Sequence, residues 1–248
     1  MNNSDAYILV VHGSRNRKYQ DNLDQIAHLT EATLKKQGLY SKLAIFCLEL
    51  SEKSLSENII EFANSCYLQN YKRIKILPLF LFSGTHVLDD IPHEINQAQA
   101  VLSNTITLEI LPHLGLNEAV IDLIEEKYQK TPKAQRVLIC HGTKVKEGQQ
   151  EAEKLAEKIT AHLAFWSINP DVNYVVEKLI SEGYQTISLL PYFLFTGKIS
   201  RALEQQCQDL QLKYPHIQLN MMPVLGVTSS LAKIIVKCLT MENPLNPY

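Results

Sequence analysis

"YILVVHGSR" (residues 7–15) recurs later in the chain as "RVLICHGTK" (136–144). Each copy is an apolar segment that ends at His-Gly followed by a small hydroxyl residue. Two further pairs of segments follow in the same order, "RIKILPLFLFSG" (73–84) with "TISLLPYFLFTG" (186–197) and "LEILPHLGLNEAVIDLI" (108–124) with "LNMMPVLGVTSSLAKII" (219–235). Three matched blocks in one order indicate that the chain is a tandem repeat of a single unit.

The boundary between the two copies is predicted from composition. The segment "YQKTPKAQR" (128–136) is polar and contains a proline, which is typical of a connection between domains. We therefore expect an N-terminal half over residues 1–130 and a C-terminal half over 131–248.

Each half alternates apolar strand segments with amphipathic helical segments. In the first half, the strand that ends at His12 is followed by a helix predicted over 16–37, and the strand "KLAIFCLEL" (42–50) by a helix over 54–70. A third strand is predicted to run to Phe82, and a helix to begin near Asp90. This alternation is typical of parallel sheets covered by helices. The predicted fold is therefore α/β, with two tandem doubly wound parallel-sheet domains related by the internal repeat.

The second half is shorter between its His-Gly motif and Trp166, the residue that aligns best with Glu49. We therefore expect its second strand to be shortened or missing. His141 repeats His12, but Glu49 and His86 have no matching side chains, since His86 falls on Ile199. The second half is predicted to be a degenerate copy that supplies one wall of a cleft.

Composition excludes several classes of protein. The chain has 248 residues with 46% hydrophobic and 20% charged residues, and a net charge of −2, so nucleic acid is not an expected partner. No apolar run reaches the ~18–20 residues of a membrane span, and "MNNSDAYILVVHGS" lacks the features of a signal peptide. A cytoplasmic protein without a membrane partner is predicted. The five cysteines are scattered without a CxxC pair, which argues against a cysteine-bound zinc or iron–sulfur site.

Three polar side chains follow predicted strands of the first half. His12 ends the first strand, Glu49 lies near the end of the second, and His86 follows the third. The carboxyl ends of parallel strands share one edge of the sheet, where ligands bind in such folds. Two imidazoles and a carboxylate suit a divalent metal such as Fe²⁺ or Co²⁺ and leave coordination positions open, and they also accept protons near neutral pH.

Each of these residues also has a structural interpretation. His12 before Gly-Ser is compatible with a local hydrogen bond in a turn, and Glu49 with a lysine pair. His86 is harder to explain in this way, because a structural requirement would have been kept in the repeat. His113, which aligns with Val224, is interpreted as structural or peripheral.

Basic residues lie at corresponding loops of both halves, among them Arg15 after the first HGS and Lys198 and Arg201 after the second glycine turn. Their clustering favours a polycarboxylate ligand, with phosphate as the alternative. The chain contains no GxGxxG or GxxxxGK[ST] loop and no GxSxG motif, so nucleotide binding and serine hydrolysis are not indicated.

The motifs "VVHGSR" (10–15), "FCLELSEKS" (46–54) and "LPLFLFSGTHVLDDIP" (77–92) resemble those of the class II tetrapyrrole chelatases, the CbiX/SirB family that acts on sirohydrochlorin. The G-x-H-V-x-x-D-I-P core of the last motif is the most specific. The resemblance covers nearly the whole chain, and two halves in one chain are similar to the long form of the family.

The resemblance implies that His12 and His86 handle the metal and accept protons, and that Glu49 occupies the family's acidic position. The residues expected to bind the substrate are Ser14, Arg15, Gly84, Thr85, Lys198 and Arg201. Sirohydrochlorin and a divalent metal ion, Fe²⁺ or Co²⁺, would be the substrates of a monomer with internal pseudo-two-fold symmetry. No organic cofactor is implied.

The tail "CLTMENPLNPY" (238–248) lacks the histidine-rich segment and cysteine motif of some long cobaltochelatases. This favours iron and siroheme synthesis. A cobaltochelatase, a non-catalytic carrier of metal or tetrapyrrole, and a two-lobed binding protein of the periplasmic type remain alternatives. The missing export signal and the restriction of the three polar residues to one half count against the last of these.

Overall fold

The computed structural model describes residues 5–103 and 105–241. Within these residues, eight strands form two separate four-stranded sheets with all-parallel pairing. The strands of the first sheet are β1 (Asp5–Val11), β2 (Leu43–Cys47), β3 (Arg73–Pro78) and β4 (Thr107–Ile110), and those of the second are β5 (Gln135–Cys140), β6 (His162–Phe165), β7 (Thr186–Pro191) and β8 (Gln218–Met221). The strand orders, β2-β1-β3-β4 and β6-β5-β7-β8, are the same. The predicted fold class is confirmed.

In the described part of the chain, eight α-helices connect or follow these strands. They are α1 (Arg17–Lys36), α2 (Leu55–Tyr67), α3 (Ile91–Leu102), α4 (Ala119–Tyr128), α5 (Lys146–Lys158), α6 (Val172–Ser181), α7 (Lys198–Lys213) and α8 (Ser229–Thr240). A π-helical turn (His86–Asp90) precedes α3, and a short 3₁₀ turn (Leu114–Leu116) follows β4. Among the described residues, no helix combines the length and apolar character needed to cross a membrane.

The chain divides into two compact units that exchange their last helices. Unit 1 holds the described residues within Met1–Asn117 and Thr228–Tyr248, and unit 2 is Glu118–Val227. Helix α8 follows β8 in the chain but packs against α1 and β3 of unit 1. Helix α4 belongs to unit 2, where the Tyr128 hydroxyl donates to the carbonyl of Val137 (2.9 Å). The predicted boundary at residue 130 describes the sequence repeat and stays a prediction.

The central strands of unit 1 are buried on both faces, and this accounts for their apolar sequence. All seven residues of β1 are buried, and five of the six in β3 are buried. Ala6, Ile8 and Val10 pack with apolar residues of α2 and α3 in one core cluster. Burial of apolar surface contributes ~25 cal/mol per Å² to the free energy of folding. Because β1 and β3 are the most buried strands of the unit, they form its rigid part. Side chains placed just beyond these strands therefore have a fixed support.

One strand prediction is wrong and another is confirmed. The third strand ends at Pro78 rather than Phe82, because its neighbour β1 ends at Val11 and parallel pairing needs a partner on the adjacent strand. In the second half, the strand expected to be shortened or missing is β6, which pairs with β5 and is shortened, with four residues where β2 has five. Most of the shortening falls on the helix before this strand, because α5 has 13 residues where α1 has 20.

Candidate metal centre

The carboxyl edge of the first sheet carries the three predicted residues. His12 directly follows β1, Glu49 comes two residues after β2, and His86 begins the π-helical turn after β3. Because β1 lies between β2 and β3, the residue that follows the central strand is flanked by the other two. The order of the strands in the sheet, rather than closeness in sequence, brings the three side chains together.

Gly13 allows the backbone of Glu49 to approach that of His12. Its φ angle is +106°, and a Cβ at this position would lie 2.1 Å from the carbonyl oxygen of Glu49. The amide of Glu49 donates to the carbonyl of His12 at 2.9 Å. Only glycine combines this left-handed conformation with such a close contact. The His-Gly pair of the motif therefore fixes His12 and Glu49 as neighbours.

The donor atoms of the three side chains converge. His12 Nδ1 lies 3.7 Å from Glu49 Oε2, and His86 Nε2 lies 3.8 Å from Glu49 Oε1. The two imidazole rings meet edge to face, with 4.8 Å between their centroids and an angle of 77° between their planes. One donor atom from each residue lies within 4.8 Å of the other two. The prediction that His12 and His86 share one site is consistent with this distance.

These distances suit a metal ion better than direct hydrogen bonds. Separations of 3.7 and 3.8 Å exceed the usual 2.7–3.2 Å of an N–H···O bond. Ligand atoms bound to a divalent metal at about 2.0–2.2 Å are separated from each other by roughly 3–3.5 Å, so small side-chain movements would complete the set. The exposed fractions of the His12, Glu49 and His86 side chains are 52%, 48% and 32%, so an incoming ion or a large ligand reaches them.

The ring of His86 has two further neighbours that hold it in place. Its Nδ1 is 2.7 Å from Asp90 Oδ2, and the ring of Phe80 lies 6.2 Å away, measured between centroids. The turn that carries His86 is closed by the amides of Val87 and Leu88, which donate to the carbonyl of Gly84. The imidazole is therefore restrained from its backbone and from two side chains.

A segment after β4 supports the loop that leads to His86. The buried ring of His113 contacts the carbonyl of Phe80 through Nδ1 (3.2 Å) and the hydroxyl of Ser83 through Nε2 (3.4 Å). The amide of Gly115 also donates to the carbonyl of Phe80 (3.0 Å). Its burial and these contacts agree with the structural alternative for His113 and identify the loop that it supports.

Tyr19 and Cys47, two ionisable residues near the edge, are not bases at neutral pH. Burial raises the pKa of Tyr19 to about 12, and the nearby Cys47 adds to the rise. Burial also raises the pKa of the Cys47 thiol above its usual value. Both groups are therefore protonated at neutral pH, when a phenol or thiol neither accepts a proton nor binds a metal strongly. This leaves proton acceptance to the imidazoles and carboxylates.

The residues predicted to bind the substrate occupy different surroundings. The hydroxyl of Ser14 accepts the amide hydrogen of Asn16 (3.2 Å) and so takes part in the turn before α1. Arg15 and Thr85 are exposed, and Gly84 is half-buried. Lys198 and Arg201 lie in unit 2, where both are exposed in the first turns of α7. Their roles stay predictions.

The corresponding edge of unit 2 has the same backbone hydrogen bond but lacks the metal-binding side chains. The amide of Ser167 donates to the carbonyl of His141 at 2.9 Å, as that of Glu49 does to His12. Ser167, rather than the predicted Trp166, is therefore the structural counterpart of Glu49. Its hydroxyl donates to the same His141 carbonyl at 2.7 Å. Within the described residues, the group able to hold a metal is the one in unit 1.

Comparisons with known proteins give a matching family model, named relatives and a solved structure of similar fold. The model of the CbiX family matches residues 6–131 and again 135–241. A sirohydrochlorin ferrochelatase of Priestia megaterium is 25% identical over 221 residues, which is 83% of this chain and 79% of that protein. A sirohydrochlorin cobaltochelatase of the same organism is 20% identical over 93% of this chain and 77% of its own length. The solved structure of SirB from Bacillus subtilis with Fe³⁺ superposes with a TM-score of 0.79 at 21% identity, over 95% of this chain and 94% of that one.

Proposed function

The chain belongs to the CbiX family, whose model matches both halves, and on this premise we propose that it is a sirohydrochlorin ferrochelatase. In this reaction Fe²⁺ enters the macrocycle and the product is siroheme. The observation that carries the proposal is the convergence of His12, Glu49 and His86, with one donor atom of each within 4.8 Å of the others at an exposed edge. The relative from Priestia megaterium that bears this name supports it.

Metal insertion is an exchange of one cation for two protons. Two pyrrole N–H bonds break, four nitrogens bind the ion, and the oxidation state of the metal does not change. Each released proton needs an acceptor on the side from which the ion arrives. A group of two imidazoles and one carboxylate binds a borderline divalent cation and also accepts protons. One set of side chains therefore serves both needs.

The exposure of His12, Glu49 and His86 allows a metal bound by them to be passed on to the macrocycle. A metal held only by His12, Glu49 and His86 keeps open coordination positions, because three protein ligands do not complete a tetrahedral or octahedral shell. The macrocycle nitrogens can replace the remaining ligands one by one. Transfer then leaves the imidazoles and the carboxylate free to take the two protons. The metal is a substrate in this scheme, and no organic cofactor takes part.

The negatively charged carboxylates of sirohydrochlorin would be bound by basic side chains. Arg15 is exposed three residues after His12, and Lys198 and Arg201 are exposed on α7. We assign these three residues to binding the peripheral carboxylates, together with the polar groups of Ser14 and Thr85 and the half-buried backbone at Gly84. Attraction of this kind between exposed charges weakens as salt is added.

We place the enzyme in the cytoplasm as a monomer. Its cysteines within the described residues are free thiols, which is the state that a reducing compartment maintains. The two repeated units also lie in one chain, so a second copy is not needed to supply a second unit.

Cobalt is the alternative metal, since the same ligand set accepts Co²⁺ and one relative is a cobaltochelatase. The test is an anaerobic assay in which the purified protein, sirohydrochlorin and Fe²⁺, Co²⁺ or Ni²⁺ are mixed and insertion is followed by absorption. We expect insertion far above the rate without protein, and fastest with Fe²⁺. Tight binding of the macrocycle without any acceleration would identify a carrier and overturn the proposal. Faster turnover with Co²⁺ would reassign the metal.

A further inference from the structure

Asp90 and His86 form a close pair that the metal group does not include. His86 Nδ1 and Asp90 Oδ2 are 2.7 Å apart. An ionised carboxylate only accepts hydrogen bonds, so the hydrogen in this contact belongs to Nδ1. In the neutral ring the lone pair then lies on Nε2. This is the atom that faces Glu49 Oε1 at 3.8 Å.

His86 Nε2 and Glu49 Oε1 are then two hydrogen-bond acceptors that face each other. With its hydrogen on Nδ1, the neutral ring presents a lone pair to a carboxylate oxygen, and no proton lies between the two atoms. Such a pair repels at contact distance but is well suited to share a cation. The tautomer fixed by Asp90 therefore makes the gap between His86 and Glu49 suitable for a metal ion.

Asp90 occupies a position where an aspartate normally caps the N-terminus of a helix. It precedes α3 at the N-cap position, where its carboxylate would accept from a backbone amide of the first turn. Here its backbone is already helical (φ −69°, ψ −48°), and its side chain makes no capping bond. The π-helical turn closes with the amide of Ile91 donating to the carbonyl of His86. Single π-helical turns are often found at functional sites, and this one places the carboxylate against the imidazole.

We infer that Asp90 is a positioning residue that holds His86 as the Nδ1–H tautomer, so that Nε2 binds the divalent substrate. Carboxylates bound to the far nitrogen of a metal-binding histidine fix the ring and increase its strength as a ligand. Loss of such a partner typically weakens metal binding by about 10–100-fold. The inference rests on the proposed function only for the statement that the bound metal is a substrate.

The test uses the metal alone, so that its outcome is separate from that of the insertion assay. Co²⁺ is titrated into the wild-type protein and the Asp90→Ala variant, and binding is followed by the visible absorption of the ion. The tautomer of His86 is measured in the same proteins by ¹⁵N NMR of labelled histidine, with His86→Gln used to assign the signal. Asp89→Ala is the matched control, because it removes the same charge from the adjacent, exposed residue.

We expect Asp90→Ala to bind Co²⁺ about 10–100-fold more weakly and to lose the Nδ1–H tautomer, with Asp89→Ala close to wild type. Asp90→Glu should recover a large part of the affinity. If Asp90→Ala melts early, Asp90→Asn, which keeps the shape of the side chain, takes its place in the titration. Equal affinity in wild type and the Asp90 variants would overturn the inference, as would equal losses in the Asp89 and Asp90 variants. A wild-type protein that fails to insert metal would refute the function and leave this result standing.

Discussion

We expect His86 to be essential for activity and dispensable for folding. Its side chain is one-third exposed and follows the end of β3, so its removal opens no cavity in the core. Substitutions of this kind usually change the free energy of unfolding by no more than ~0.5 kcal/mol. The loss of a positioned proton acceptor costs typically 10²–10⁴-fold in rate. The two effects can therefore be measured separately.

For His86→Ala we expect an unchanged melting temperature, retained binding of sirohydrochlorin and a 10²–10⁴-fold slower insertion of metal. Circular dichroism gives the melting temperature, and anaerobic absorption measurements give the binding of sirohydrochlorin and the rate of insertion. A variant that melts much earlier, while its folded fraction turns over at the normal rate, would show that His86 is a structural residue.

The thiols give a second test at this scale. Burial raises the pKa of the Cys47 thiol, and that of Cys238 to about 11. Because the thiolate is the reactive form, a raised pKa lowers the thiolate fraction at neutral pH and moves the increase in reactivity to more alkaline solution. We expect iodoacetamide to label the native protein slowly at pH 7 and faster as the pH rises above the usual thiol range.

The Cys47→Ser variant should bind Co²⁺ with the same affinity as the wild-type protein. A large loss of affinity would make Cys47 a ligand.

The sequence was sufficient to predict His12, Glu49 and His86, because parallel strands place their carboxyl ends at one edge. It did not identify the role of Asp90, since an aspartate before a helix is also the usual sign of a cap. Only the observed bond to His86 distinguishes the two. The counterpart of Glu49 was misplaced by one residue, because Ser167 keeps the backbone contact and shares no side-chain chemistry with Glu49.

Among the secondary-structure elements, the loop after β3 connects the rigid sheet to the site. It is held by the segment after β4, where a Cβ on Gly115 would lie 1.9 Å from the carbonyl oxygen of Leu81. Sequence patterns predicted the helices well, because their apolar spacing and start signals are local. They extended β3 too far, because the end of a strand depends on neighbours that are distant in the sequence.

Gly115→Ala should therefore displace the loop that carries His86. Inserting extra atoms into a well-packed region costs typically 1–3 kcal/mol, and the contact here is with backbone that cannot rotate away. We expect a lower melting temperature and weaker binding of Co²⁺. Gly197→Ala is the control for stability, since a Cβ at that position has no heavy atom within 4 Å. Equal melting temperatures for the two variants would contradict the account of the loop.

At the scale of the whole molecule, the exchange of the last helices makes the two halves of the sequence differ from the two folded units. Helix α8 buries seven residues in unit 1, namely Leu231, Ala232, Ile234, Ile235, Val236, Cys238 and Leu239. Its end is tied to β3 by the buried Lys75, which donates to the carbonyl of Met241 at 3.0 Å. The repeat predicts two similar sheets. It does not predict which helix packs on which sheet, because α4 and α8 are equivalent apolar helices and only tertiary contacts distinguish their positions.

This arrangement predicts how unit 1 can be isolated. Lys75 Nζ also lies 3.8 Å from Asp5 Oδ2, so the end of α8 and the start of β1 are close together. A permuted fragment in which residues 228–241 are joined by a short flexible linker to 5–117 should unfold cooperatively and bind Co²⁺. The fragment 5–117 alone lacks the apolar face of α8 and should aggregate or melt much earlier. Indistinguishable thermal unfolding of the two fragments would contradict the assignment of α8 to unit 1.

The central claim is that metal insertion occurs at the edge of unit 1 and not at its counterpart in unit 2. The most direct test is the rate of Fe²⁺ insertion into sirohydrochlorin by the wild-type protein, His12→Ala and His141→Ala, measured anaerobically by absorption on the same day. The two substitutions remove repeated histidines that are both exposed, so each is a control for the other. We predict a 10²–10⁴-fold loss for His12→Ala and nearly full activity for His141→Ala. Equal losses in the two variants, or full activity in His12→Ala, would contradict the account.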